Sequence, residues 1–354
     1  MSHFWRRRFE LLLLDNSGSG IALSDFSVDF SVTWNQAKTP RIAKIKIYNL
    51  RRDTVSRLLL REFSRVQISA GYFGLEPDGQ VHEVAADENN GSSRFGTIFS
   101  GDIRIAIEGR SGTESWVTIQ ALDGFEAYSY ARISATLAKG YTDENVYDLL
   151  QKKLEQDYGI LRGKTPTFRT TKYPRGKTFN GTIATYLDEL VAPPDYNATW
   201  QFLDGRLEIF NDAMIVDETA VELNRETGLI GSPLRTTGSG ITAKCLINPA
   251  IRLNGLVHIN QASIITQELS DDTLLSTDKK AEYQQSGVVL DKENVNQVYR
   301  GIATSPDAIA TDGIYIVRGI TYSGNTRGSE WYMNLMCQAR GDTSKLKPPS
   351  AKAK

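Results

Sequence analysis

Apolar and polar residues alternate with period two along much of this 354-residue chain. In DFSVDFSVTW, Phe26, Val28, Phe30, Val32 and Trp34 alternate with Ser27, Asp29, Ser31 and Thr33, the pattern of a strand with one buried face. Ala43, Ile45 and Ile47 alternate with Lys44, Lys46 and Tyr48. Ile103, Ile105 and Ile107 alternate with Asp102, Arg104 and Glu108, and Val117, Ile119 and Ala121 with Thr118 and Gln120. Gly-bearing turns separate these runs. A sheet of this kind must close or be covered, because open edges invite aggregation, so the pattern predicts a barrel or sandwich over residues 1–130. The leading MSHFWRRRFELLLLDNSG sets three arginines before only four leucines, bracketed by Glu10 and Asp15. That is too short for a secretory or membrane-spanning segment and predicts a first strand with a basic edge.

The period changes in the middle of the chain. In YTDENVYDLLQKKLEQDYG, Thr142 is placed to cap a helix whose first turn is acidic and whose Val146, Leu149, Leu150 and Leu154 share one face. Ile183, Leu187, Leu190 and Val191 repeat the helical spacing before Pro193 and Pro194 end it. ATWQFLDGRLEIF predicts two strands joined by Asp204 and Gly205 in a tight type I′ turn. Residues 131–215 therefore form an α+β unit, and the strand pattern returns over 216–345 with a long polar insertion at 263–312. The basic tail 346–354 carries Pro348 and Pro349 and is expected to be extended, so that truncation after Leu346 leaves folding intact.

The two strand-rich blocks share an order. AKIKIYNL ends at Asn49 before a loop and the chain resumes in SRVQISAG; TAKCLINP passes through Asn248 and resumes in GLVHINQA. Each block then ends in a hairpin whose second strand opens on an acid and a tryptophan, Trp116 or Trp331. This predicts two copies of one barrel. Trp116 has the parity of the polar Thr118 and Gln120, whereas Trp331 has that of Met333, Leu335 and Cys337. The match therefore requires a bulge in one copy or opposite ring orientations.

Composition adds exclusions rather than chemistry. Lys plus Arg (41) nearly balances Asp plus Glu (42), so net charge favours neither a nucleic-acid nor a membrane-surface partner. His3, His82 and His258 are scattered, and Cys245 and Cys337 read as reduced thiols in strands, which leaves no zinc or catalytic histidine constellation. The Gly-Lys-Thr triplets at Gly163 and Gly176 lack the earlier P-loop glycine, with Tyr158 and Thr171 in its place. The acidic loop at 75–91 lacks the alternating ligand order of a calcium loop. Acids are abundant (Asp143, Glu144, Asp188 and Glu189 among them), and nearly all are expected on exposed helix faces. No catalytic residue, cofactor or metal site is expected.

Taken in order, PRIAKIKIYNLRRDTVSRL, VQISAGY with GTIFSGDI, TIQALDGFEAY, TGLIGSP, KCLINPAIRLNGLVHI and GIYIVRGITYSGNTRGSEWYMNL resemble the tail hub, or baseplate hub, proteins of long-tailed bacteriophages over nearly the whole chain. The resemblance implies a mainly β fold with an inserted α+β unit and two related tail-tube-like β-barrels. It implies a homotrimeric, pseudo-sixfold ring that joins the tail tube or distal tail proteins to a separate spike and lines the channel for DNA ejection. It also implies a virion protein assembled in the host bacterial cytoplasm, with no membrane insertion and genomic DNA passing only transiently. The carry-over is structural: Asn49 and Asn248 end matched strands, while Gly228 and Gly231 of TGLIGSP lead into the second barrel. Alternative readings are the hub portion of a contractile injection or secretion-system spike, and a carbohydrate-binding or hydrolytic β-protein.

Overall fold

The computed structural model describes residues 5–35, 40–75, 81–82, 95–196, 198–211, 220–235, 240–260 and 313–339, with short strands at 282–283, 289–290 and 297–298. The acidic loop at 75–91, the insertion at 263–312 and the tail at 346–354 lie largely or wholly outside these residues.

The N-terminal block contains β1 (Trp5–Leu14), β2 (Gly20–Ala22), β3 (Val28–Asn35), β4 (Ile42–Tyr48), α1 (Arg52–Leu59), β5 (Arg65–Leu75), β6 (Val81–His82), β7 (Phe95–Ser111) and β8 (Glu114–Leu122). The alternating residues of β3, β4 and β8 behave as their period dictates: Val28, Phe30, Val32 and Trp34 are buried, and so are Ala43, Ile45, Ile47, Val117, Ile119 and Ala121. The alternation expected at Ile103, Ile105 and Ile107 does not bury that face: Ile105 and Ile107 are exposed, because the register shifts between Ile103 and Ile105 and changes the parity of β7. The basic N-terminal run is strand β1, antiparallel to β5. Helix α1 occupies what the sequence marks only as a loop. It has eight residues and buries Leu58 alone, too little for a helical period to develop.

The middle of the chain contains α2 (Phe125–Tyr130), β9 (Arg132–Leu137), α3 (Asp143–Tyr158), β10 (Leu161–Arg162), β11 (Lys177–Thr182), α4 (Ile183–Val191), β12 (Ala198–Leu203) and β13 (Arg206–Asn211). Thr142 caps α3 in a capping box with Asn145, and Ile183, Leu187, Leu190 and Val191 are the buried residues of α4. Asp204 and Gly205 take φ of 49° and 73°, the paired left-handed backbone of a type I′ turn, between antiparallel β12 and β13. These elements share a core that includes Tyr147, Leu150, Phe179, Leu187, Trp200 and Ile209.

The C-terminal block contains β14 (Val221–Leu223), β15 (Leu229–Arg235), β16 (Gly240–Leu246), β17 (Leu256–Ile259), β18 (Glu282–Tyr283), β19 (Val289–Leu290), β20 (Gln297–Val298), β21 (Ile314–Asn325) and β22 (Trp331–Ala339). Neighbouring strands run in the order β3-β4-β8-β7-β5 in the first block and β15-β16-β22-β21-β17 in the second, every pair antiparallel. The shared order predicted from the sequence is thus a shared ladder. The blocks are also hydrogen-bonded to each other, since β3 pairs with β21 from Asp29↔Asn325 to Asn35↔Gly319. One core cluster runs beneath both, from Leu11 and Ile45 to Cys245, Trp331 and Leu335.

Candidate functional site

Pairing across β3 and β21 produces an eight-stranded antiparallel run, β15-β16-β22-β21-β3-β4-β8-β7, with one face on the core. The other face presents Lys44, Lys46, Asp29, Ser31, Thr33, Thr321, Ser323, Asn334, Tyr332, Lys244 and Thr242, none of them buried. Hydroxyls and amides dominate this face, with a few lysines among them. Two of those lysines lie on aromatic rings in matching places. Lys46 sits 4.4 Å from the Trp116 ring centroid and Lys244 sits 3.5 Å from that of Tyr332. Lys46 pairs with Thr118 and Lys244 with Asn334, so each aromatic is two residues before its lysine's partner. The outward counterpart of Trp116 is therefore Tyr332, not Trp331.

The hairpins explain why. Trp116 pairs with Gly109 and Trp331 with Gly324, the same seven-residue spacing in both, a signal available in the sequence and missed by a reading of parity alone. A Cβ on Gly109 would lie 2.6 Å from the Trp116 ring, so glycine lets the indole lie across β7. Each hairpin carries a bulge in its first strand, at Arg104 in β7 and at Arg318 in β21. Gly109 follows its bulge by five residues and Gly324 by six. One extra residue reverses the face on which the Gly–Trp pair points, because strand side chains alternate. Trp116 is accordingly half-exposed on the outer face, whereas Trp331 is buried against Phe9, Phe30 and the Arg7 guanidinium.

Asn49 and Asn248 both sit where a strand approaches its hairpin, with different bonding. Asn49 has φ of 54°, donates its N–H to the Ser115 carbonyl and accepts the Ser115 N–H on Oδ1. The Asn248 Oδ1 accepts from the Ala250 N–H, and its own N–H points to Met333 Sδ. Gly228 immediately precedes β15, its carbonyl accepting from the Leu246 N–H, and Gly231 lies in an irregularity of the β15–β16 ladder. Gly231 has φ of 69°, a conformation costly for any residue with a Cβ.

The run is open along β15 at one end and along the second half of β7 at the other, where the first half of β7 continues the sheet into β5, β1 and β2. β7 pairs with β5 only as far as Asp102, so from Arg104 to Ser111 its second edge has no strand among the described residues; the outer edge of β15 has none either. Exposed apolar side chains lie on both end strands, Ile105 and Ile107 on β7 and Ile230 and Leu234 on β15, and two more lie within the run, Ile42 on β4 and Met336 on β22.

A buried ion node joins the first block to the middle of the chain. Arg41, 2% exposed, donates from Nη2 to Asp123 Oδ2 at 2.8 Å and to Asp204 Oδ1, and from Nη1 to the Ile98 carbonyl. Its guanidinium lies 4.8 Å from the Trp34 ring centroid and 5.3 Å from that of Phe99. Asp123 also accepts the Asp204 N–H. Burial pushes the Asp123 carboxyl up to about 6, the Arg41 charge opposing and the neighbouring Asp204 carboxylate adding to the rise. The turn at Asp204 thus serves as a side-chain anchor as well as a chain reversal.

The histidines and thiols of the described residues do not converge on one another, and a second polar cluster forms around Asp143. Among the described residues no group of three or more His, Cys, Asp or Glu could hold a metal ion. Cys245 pairs with Met333 and Cys337 with Ile241, so the thiols are not opposite each other; burial pushes Cys245 up to about 12 and Cys337 higher. His258 is the exposed residue of β17. Asp143 accepts from Tyr196, Tyr173 and Arg169, and these hydrogen bonds outweigh burial to hold its carboxyl below the usual range.

At the level of sequence, no family model matches the chain, and no curated protein matches it. Solved structures match it in fold. The 43 kDa tail protein of prophage MuSo2 from Shewanella oneidensis aligns with 94% of this chain and 98% of its own, at 8% identity and a TM-score of 0.50. The chain has the fold of a phage tail protein. The tail protein from Neisseria meningitidis MC58 aligns with 95% of the chain and 98% of its own length at 9% identity and a TM-score of 0.49. An E. coli component of the type VI secretion system, described as structurally similar to T4 bacteriophage tail proteins gp27 and gp5, aligns with 88% of this chain and 73% of its own at 10% identity and a TM-score of 0.45.

Proposed function

We propose that this chain is a non-enzymatic tail or baseplate hub protein, built as units 1–130, 131–215 and 216–345, that assembles as a homotrimeric ring. The ring would join the tail tube or distal tail proteins to a separate spike and surround the channel through which DNA leaves the virion. The observation that carries this reading is the eight-stranded run made of two like-ordered blocks, open along β15 at one end and along the second half of β7 at the other, with exposed apolar side chains on both strands. An even number of antiparallel strands leaves the two terminal strands running in opposite directions. The β7 edge of one copy can therefore receive the β15 edge of the next without breaking the alternation. Such a contact is heterologous, and a heterologous contact that closes makes a ring. It would bring Ile105 and Ile107 of one copy toward Ile230 and Leu234 of the next and remove both exposed edges. Three copies would present six like-ordered blocks to a sixfold tube, and the polar outer face would line the lumen. Hydroxyls, amides and few lysines suit the passage of DNA, because phosphate affinity grows with the number of cations in contact.

Light scattering of the purified full chain tests the proposal, with a mass of three chains expected together with a ring and central hole in negative stain. Ile107→Lys is expected to give a folded monomer. A wild-type chain that stays monomeric at high concentration, also when mixed with tail-tube protein, would overturn the ring.

A further inference from the structure

The second edge of β21 is divided between two strands. Residues 314–316 pair with β17, a bulge follows at Arg318, and residues 319–325 pair with β3. Strand β7 is divided at the same place. Residues 95–102 pair with β5, a bulge follows at Arg104, and residues 105–111 have no strand on that edge among the described residues. The stretches 319–325 and 105–111 have the same length and lead into the same kind of hairpin. The strand that fills this edge of β21 is β3, and its counterpart in the second block is β15, the strand that begins each like-ordered ladder.

The ladders also fix which residues correspond. Lys46 and Lys244 hold matching places, and Asp29 pairs with the first while Ile230 pairs with the second. Two residues before each lysine, Lys44 pairs with Ser31 and Thr242 with Leu234. Asp29 and Ser31 of β3 therefore match Ile230 and Leu234 of β15, with the irregularity around Gly231 taking up the longer spacing in β15. Counted from the bulges, Ser323 and Asn325 of β21 match Gly109 and Ser111 of β7. Within the chain, Asp29 pairs with Asn325 and Ser31 with Ser323.

We infer that β7 of one copy and β15 of the next pair in the register of the β21–β3 junction, with Ser111 opposite Ile230, Gly109 opposite Leu234, and Leu234 packed on the Trp116 indole. The inference rests on the ring reading and adds to it the register and the contact that holds the seam. Trp116 lies across Gly109, where a Cβ would come within 2.6 Å of its ring, so the indole covers the position that meets Leu234. Ile107, two residues before Gly109, lies on the same face of the strand. The two junctions differ in chemistry as their tethering requires. Within the chain the facing residues are Ser31 and Ser323, both half-buried, because one polypeptide already holds the strands together. Separate copies must offset the freedom lost on association, and burial of the exposed Leu234, Ile230 and Ile107 contributes to that.

The test uses cysteine pairs in the full-length chain, read by non-reducing electrophoresis after mild oxidation. The native Cys245 and Cys337 are buried and do not compete. Directly opposite residues of an antiparallel pair have Cα atoms about 4.5–5.5 Å apart, a distance that a disulfide spans. Ser111→Cys combined with Ile230→Cys is therefore expected to give a covalent species of three chains. Ile107→Cys combined with Ile230→Cys, about 13 Å out of register, is expected to give none. Trp116→Ala keeps every strand of the seam and is expected to raise the concentration at which three chains associate at least tenfold, with an unchanged circular dichroism spectrum. A ring that cross-links through the Ile107→Cys pair, or through neither pair, would overturn the register. A Trp116→Ala chain that assembles as the wild type does would overturn the Leu234 contact. A wild-type chain that stays monomeric in light scattering would overturn the ring and the register together, so the mass of the wild type tells the two failures apart.

Discussion

At the scale of single residues, two tryptophans that look alike in the sequence carry different loads. Trp331 is 1% exposed and packs edge-on to Phe30 and Phe9, so Trp331→Ala is expected to cost about 3–5 kcal/mol in chemical denaturation. Trp116 rests half-exposed under Lys46, a contact worth about 1 kcal/mol or less, and Trp116→Ala is expected to fall in that range. Equal costs would contradict the opposite orientations. The Arg41 node gives a pH signature. The folded carboxyl of Asp123 lies near 6, above its ordinary value of 3.8, so the folded chain binds that proton more tightly than the unfolded chain does. The contribution of this group to stability is therefore fully present below about pH 4 and is lost as pH rises through about 6. Asp102 and Glu208 are also raised by burial and act with the same sign, whereas Asp143 is lowered and opposes them. The diagnostic quantity is the difference from the Asp123→Asn variant. The wild type minus variant stability is expected to fall between pH 4 and pH 6.5, measured by urea unfolding at fixed ionic strength, and a flat difference would rule out the raised carboxyl. Removing one partner of this buried node also leaves charge uncompensated, so Arg41→Ala is expected to destabilise by about 3–5 kcal/mol.

At the scale of elements, local chemistry was legible wherever a few adjacent residues decide the outcome. Thr142 closes a capping box on α3, and Thr142→Ala is expected to lower stability by about 1 kcal/mol in thermal or urea unfolding. Asp204 and Gly205 take the two left-handed conformations that their residue types anticipate. Helix α1 left little trace, since only Leu58 is buried along its eight residues. The bulges at Arg104 and Arg318 could not be placed from the sequence, because a bulge is a mismatch between two strands and neither strand alone encodes its position. Parity along β8 and β22 allowed for opposite orientations of the two tryptophans, which is what the structure has, while the equal Gly109–Trp116 and Gly324–Trp331 spacings, which reflect equal hairpins, went unread.

At the scale of the whole molecule, the proposed ring makes a prediction specific to a heterologous contact. Ile107→Lys blocks the β7 edge and leaves β15 free, and Leu234→Lys does the reverse. Each variant alone is expected to be monomeric. An equimolar mixture is expected to form a dimer and no ring, because one good edge of each kind remains and closure needs two on every copy. Sedimentation velocity reads this directly, and rings in the mixture would point to a different interface. The sequence by itself determined the strand period, the two helices of the middle unit, the tight turn at Asp204 and the repeated order of two blocks. These follow from side-chain alternation, capping and turn stereochemistry, all of which act within a few residues. Only the tertiary structure decided that β3 pairs with β21 to merge the blocks into one sheet, and that Arg41 reaches Asp123 and Asp204 across 82 and 163 positions. The physical reason is that main-chain pairing and charge contacts are indifferent to sequence distance. A strand carries the period that buries its face, but nothing in that period names the strand lying beside it.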